Sequence, residues 1–207
     1  MVQLRIPDNF LYYLSLHKDC NELHLLDAKG LTAQELEVST HAKAVSQRKM
    51  VYAVLGEIHR MKAFVRLKSL GPQVLYGHLK PSHKIGGHIS DHFARRNPWI
   101  IVVLGNSSES WISLCQKGRI MRDHGKGMAE TLERLRSALD CPADGPNANN
   151  PYVDDLWQVY YDSQYCPERK NRRVFRQRMP KRDQDAAGLR LIQNEKGVTL
   201  DDFLDKS

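Results

Sequence analysis

Six consecutive apolar residues, Trp99-Ile100-Ile101-Val102-Val103-Leu104, stand directly after Pro98. A strand with one wet face alternates apolar and polar side chains, so an unbroken run of this length predicts a strand buried on both faces. The next twenty residues supply partners for it. GNSSES (105–110) is a polar turn, Trp111 to Gln116 reads as the next strand, and Lys117-Gly118 looks like a tight turn into a third short strand, Arg119 to Arg122.

The rest of the chain is mostly helical in pattern. Thr32 to Lys62 is the clearest long helix: Thr32 and Glu35 form a capping-box pattern, and Val51, Val54, Leu55, Ile58 and Met61 fall on one face. A break is expected near Ser39-Thr40. Ala63 to Leu67 then alternates like a strand, Gly71-Pro72-Gln73 turns, and Val74 to Leu79 reads as the other arm of a hairpin. Pro81 and Ser82 are expected to open a short helix through Arg96, with Ile85, Ile89 and Phe93 on one face and Gly86-Gly87 weakening it. Residues 128–139 and Tyr152 to Tyr165 are amphipathic, the latter through Val153, Leu156, Trp157 and Tyr160. Near the N-terminus VQLRI alternates like a strand, and NFLYYLSL fits either a helix or a strand. The expectation is an α+β fold, a small mainly antiparallel sheet packed with several amphipathic helices. It would form a single domain over 1–207, with CPADGPNANNP (141–151) as a surface connection.

The four cysteines, Cys20, Cys115, Cys141 and Cys166, are scattered without a CxxC pair, which disfavours a disulfide scaffold or a four-cysteine zinc site. MVQLRIPDNF lacks the regions of a signal peptide, and no apolar run approaches the length that spans a bilayer; a cytoplasmic protein is expected. The formal charge is +7, and its placement is informative. From Cys166 to Arg182 (CPERKNRRVFRQRMPKR) eight Lys or Arg stand against one Glu, so the remainder of the chain is neutral overall. Guanidinium forks at this density, with Phe175 and Met179 between them, suit phosphate binding; a solvated charge run or a docking site for an acidic protein are the competing readings.

Among nine histidines, His88 and His92 stand at i, i+4, with His83 upstream and Asp91 adjacent. Two such histidines can share a metal, but HISDH lacks the glutamate of an HExxH helix and no third ligand stands at diagnostic spacing, so neither metal nor cofactor is expected. His59-Arg60-Met61-Lys62 closes the long helix, where cations also serve as C-terminal caps. Alternation sets Arg66 on one strand face with Phe64 and Lys68, an arrangement that serves a phosphate or a base as well as cross-strand packing. Arg95 and Arg96 end the second helix and complete a possible second basic locus. No GxGxxG, P-loop, GxSxG or radical-SAM cysteine trio is present.

Three blocks stand in order: Glu57 to Arg66; Val74-Leu75-Tyr76, Lys80 to His83 and His92 to Arg96; Leu156 to Tyr161, Pro167 to Asn171 and Met179 to Arg182. Together, over about 50–182, they resemble an uncharacterised bacterial and archaeal family linked to DNA metabolism and DNA repair. Its members stand beside a radical-SAM protein or are fused to a uracil-DNA-glycosylase-like domain. The chain departs from that family at Asp183-Gln184, where an aromatic pair is usual, and around Gly86-Gly87; residues 1–40 and 183–207 would be appendages. The resemblance implies a nucleic-acid role with no assigned reaction.

The expectation is therefore a DNA-binding accessory protein working with a radical-SAM partner. His59, Arg60, Arg66, His83, His92, Arg95 and Arg96 would line its groove, and Arg169, Arg172, Arg173 and Arg176 would hold phosphates. One alternative is an enzyme acting itself on a damaged base or phosphodiester, with His59, His92 and Arg96 as acid–base and anion-stabilising groups. The other is a protein-interaction module.

Overall fold

The computed structural model describes residues 5–139, together with Arg173, Gln177 and Pro180. The expected helix at Tyr152–Tyr165, the loop at 141–151 and all but those three positions of the basic segment lie outside the described residues. Four helices come first: α1 (Phe10–Ser15), α2 (Glu22–Ala28), α3 (Ala33–Val38) and α4 (Ala42–Phe64). NFLYYLSL is thus helical, while Arg5 and Ile6 of the expected first strand are neither strand nor helix and 1–4 lie outside the description. The Thr32 capping box is made in full: the Thr32 side chain accepts from the Glu35 N–H, and the Glu35 carboxylate accepts from the Thr32 N–H. Ser39 ends α3 in extended backbone, so the long helical pattern does break between α3 and α4.

A five-stranded sheet comes next, β1 (Lys68–Gly71), β2 (Val74–His78), β3 (Ile101–Gly105), β4 (Ser110–Gln116) and β5 (Arg119–Gly125), in spatial order β1-β2-β3-β4-β5. All neighbours are antiparallel except β2 and β3, which run parallel because α5 (Gly86–Arg96) crosses over between them. Lys117 and Gly118 have φ of 49° and 77°, the two positive values that a tight β4–β5 hairpin turn requires. α6 (Met128–Ala138) closes the described chain. The architecture is α+β with an open, mostly antiparallel sheet. Among the described residues no helix is long and apolar enough to cross a membrane.

β3 is covered on both faces, as its composition requires. Val102 and Leu104 join Ile85, Ile89, Phe93 and Ala94 of the α5 region and Val54, Ile58 and Met61 of α4. Val103, with the partly buried Ile101, faces the other way, toward Met128, Leu132, Leu135 and Leu139 of the α6 region. The first half of α4 belongs to a separate helical cluster, in which Ala44, Met50 and Val51 pack with Phe10, Leu14, Ala28 and Leu36.

Three expected boundaries are corrected. Ala63 to Leu67 is not a strand: Phe64 ends α4, and Val65 is buried as the next step of the helical series Val54, Ile58, Met61. The 3.6-residue period there wins over a local alternation, so Arg66 shares no strand face with Phe64 and Lys68. The second helix begins at Gly86 rather than Pro81, because the backbone N–H groups of Ser82 and His83 are turned onto the buried Glu57 carboxylate; a Cβ at Gly86 would collide with the Trp111 indole. Finally, β3 starts at Ile101; Trp99 lies outside the strand with φ of 69° and is exposed.

Candidate functional site

The first two of the three sequence blocks meet along α5. At its N-terminal end stands Glu57, an acidic residue on the apolar face of α4 and only 1% exposed. Its carboxylate accepts the backbone N–H groups of Ser82 (2.8 Å) and His83 (2.9 Å). The His83 ring lies against His17 with centroids 4.4 Å apart, and its Nδ1 accepts the Lys18 N–H at 3.4 Å. Burial holds both imidazoles below the usual histidine range, and for His17 the neighbouring His83 adds to the effect. The Lys84 N–H donates to the Leu16 carbonyl at 2.8 Å, so the end of α1 is tied to this loop. Arg60 is partly buried and close enough for its charge to be felt at His83.

The middle of α5 is also well partnered. The Tyr12 hydroxyl and His88 Nδ1 are 3.2 Å apart, and both Tyr12 and Tyr13 contact the imidazole ring. Burial, reinforced by the Lys62 ammonium, pushes the His88 pKa down to about 4, against the opposing pull of Asp91. Asp91 accepts the Ser113 hydroxyl at 2.8 Å through one oxygen. Its other oxygen takes the Arg122 guanidinium, through Nε at 2.8 Å and a terminal nitrogen at 2.7 Å.

The C-terminal end differs. Lys62, from the last turn of α4, is partly buried, and that burial lowers its pKa. Its charge reaches His88 and His92 on α5. The imidazole of His92 is held below its usual range by burial first, then by Lys62 and Arg96, so it is neutral at pH 7. Arg95 and Arg96 are exposed. Among the described residues none of Lys62, His92, Arg95 and Arg96 has an ion pair or a side-chain hydrogen bond. The three cations Lys62, Arg95 and Arg96, with no carboxylate paired to them among the described residues, favour an anion over a cation. The described residues contain no group of three or more His, Cys, Asp or Glu arranged to hold a metal.

The predicted residues therefore fall into two groups. His83 and Arg60 belong with Glu57; His92, Arg95 and Arg96 belong with Lys62. Arg66 lies just past α4, where its guanidinium donates to the Ala63 carbonyl at 2.8 Å as a cap for the helix end; burial lowers its pKa. His59 is exposed on α4, three residues from Lys62 and so on the same side of the helix. Arg169, Arg172 and Arg176 lie outside the described residues, and Arg173 is helical and exposed. Sequence reasoning explains Lys62 as a cap and places it in the second basic locus without making it a site residue, and it passes over Glu57, whose signal is an acidic residue in step with Val54, Ile58 and Met61. Asp91 enters there only as a neighbour of the histidines, and its tie to Arg122 needs the β4–β5 hairpin to be folded.

Neither a curated protein nor a solved structure matches this chain. Residues 22–185 match a domain of unknown function, and the chain belongs to that family, DUF4130.

Proposed function

We propose that the protein is a nucleic-acid-binding accessory factor, which holds damaged or modified DNA while a radical-SAM partner performs the chemistry. The observation that carries this reading is the Lys62 ammonium, partly buried beside neutral His92 and exposed Arg96 with no acidic partner among the described residues. Desolvating a cation without pairing it is unfavourable, and a phosphate oxygen at this position removes the penalty. The segment 166–182, with its eight Lys or Arg and one Glu, supplies a second set of phosphate contacts. Arg rather than Lys predominates there, which suits planar, two-pronged contacts to phosphate oxygens.

Affinity for duplex DNA, measured across a salt series, tests the proposal. The variant Arg172→Ala, Arg173→Ala, Arg176→Ala should shallow the slope of log affinity against log salt by about 2–3. The loss should be the same for every sequence, because phosphates carry no base information. An unchanged affinity and slope would remove the segment from the interface. Salt-insensitive binding by the wild type would favour a protein-interaction module. Turnover of damaged DNA by the purified chain alone would show that it is itself the enzyme.

A further inference from the structure

Among the described residues, Trp99 is the one large aromatic that the fold pushes outward at a backbone cost. Its φ of 69° belongs to the left-handed region, which bulky side chains rarely occupy, and it is 56% exposed. The conformation is locked from both sides: the Trp99 N–H donates to the Cys115 carbonyl at 2.9 Å, and the next N–H, of Ile100, donates to the Asn97 carbonyl at 3.3 Å. Yet the indole ring takes no part in the hydrophobic clusters, makes no aromatic contact and donates no hydrogen bond among the described residues. Packing therefore does not explain why a tryptophan stands where glycine or asparagine would cost less.

The surroundings point to a ligand. The bond to Cys115 sets Trp99 beside the end of β4, next to the hairpin of Lys117 and Arg119, while Arg95 and Arg96 approach along the chain from the end of α5. All four cations are exposed, and none is in an ion pair among the described residues. Between His92 and Arg122 the only acidic residue is Glu109, which precedes the far end of β4. An exposed indole beside the hairpin of Lys117 and Arg119 and a few residues past Arg95 and Arg96, none of them in an ion pair among the described residues, has the makings of a stacking platform: the ring takes the face of a base and the cations take the flanking phosphates.

We infer that Trp99 stacks on an unpaired base, so that the ligand at this end of α5 is a single-stranded or locally opened segment of nucleic acid. This rests on the nucleic-acid reading above and specifies which form of the polymer is held. Bases inside a duplex are covered by their neighbours and offer no free face to Trp99, whereas phosphate contacts serve both forms equally.

The test uses the full chain, a fluorescent oligo-dT and a duplex of the same length, with Trp99→Gly and Trp99→Phe. Glycine removes the ring and accepts the positive φ. Trp99→Gly should therefore melt at or above the wild-type temperature, lose about tenfold or more in affinity for oligo-dT, and keep its affinity for duplex. Trp99→Phe, which retains a stacking face, should bind oligo-dT more tightly than the glycine variant. Wild-type affinity of Trp99→Gly for oligo-dT would overturn the inference, and so would a fall in its melting temperature, since the ring would then be a structural anchor. If wild type binds duplex and the glycine variant is unchanged on both ligands, only this inference fails. If wild type binds neither ligand at low salt, the nucleic-acid reading falls with it.

Discussion

The two ends of α5 carry similar residues and treat them differently. At the N-terminal end the buried carboxylate and both histidines have partners: Glu57 takes two backbone N–H groups, His83 lies on His17, and His88 meets Tyr12. Asp91, one turn on, is divided between Ser113 and Arg122. At the C-terminal end Lys62, Arg95 and Arg96 have no ion pair or side-chain hydrogen bond among the described residues, and His92 has only the edge-on contact with its neighbour Phe93, ring centroids 5.3 Å apart. Buried polar groups are held by their partners; of the cations without carboxylates, Arg95 and Arg96 are solvated and only the partly buried Lys62 carries a desolvation cost. The difference separates histidines and arginines whose partners lie within the described fold from those without a polar partner there, although in the sequence the two sets look alike.

The largest effect should come from the satisfied end. Glu57→Ala removes the carboxylate to which two partly buried N–H groups donate and should cost about 3 kcal/mol in chemical denaturation, with Glu57→Gln recovering part of it. Wild-type stability in Glu57→Ala would show that the loop at 82–85 is held by other contacts. Asp91→Ala should cost less, about 1–2 kcal/mol, because its partner Arg122 is 60% exposed and water can replace that contact. Denaturation of Asp91→Ala, Arg122→Ala and the double variant measures their coupling; no coupling would mean that Asp91 is held by Ser113 and not by Arg122.

His88 sharpens the comparison through pH. Its unfolded imidazole takes up a proton near pH 6.5 and its folded one only near 4, so the neutral form is favoured by folding. The stability it contributes is complete above pH 6.5 and falls as pH drops from there to about 4. Because water reaches part of the ring, the loss is on the order of 1 kcal/mol rather than the full linkage value. Melting temperatures of wild type and His88→Gln across that interval should converge toward acid pH; parallel curves would mean that His88 does not titrate in the fold.

The smallest effect on stability should come from the other end. Lys62→Met replaces a partly desolvated ammonium by an apolar side chain and should leave stability within about 0.5 kcal/mol of wild type. Its duplex affinity should nevertheless fall. A large destabilisation without loss of binding would invert the distinction between the two ends of α5.

Much of the fold is legible in the sequence for local reasons. The capping box at Thr32, the break near Ser39, the turn at Lys117-Gly118 and the face shared by Ile85, Ile89 and Phe93 all arise from neighbours within a few residues. The errors lie where two local signals compete. Phe64-Val65-Arg66 alternates over a few positions but also continues a helical series begun two turns earlier, and burial of Val65 in the cluster of Leu79 and Phe93 chose the helix. Trp99 looks in sequence like the start of an apolar strand, because composition does not reveal that the backbone turns left-handed there. Of the candidate site, the residue types and their grouping near the helix ends are visible in the sequence, whereas their partners are not.

The sequence by itself determined that a central strand must be covered on both faces, since Ile101 to Leu104 offers no polar side for water. It also determined that the excess positive charge is gathered in 166–182. The tertiary structure alone decided that β2 and β3 run parallel, that Glu57 lies under residues 82–83, and that Asp91 meets Arg122 across 31 positions while Lys62 meets no acid among the described residues. The physical reason is range. Hydrophobic period and turn chemistry act between neighbours in the chain, but whether a charge is compensated depends on distances in space, and those exist only once the sheet and its helices have packed.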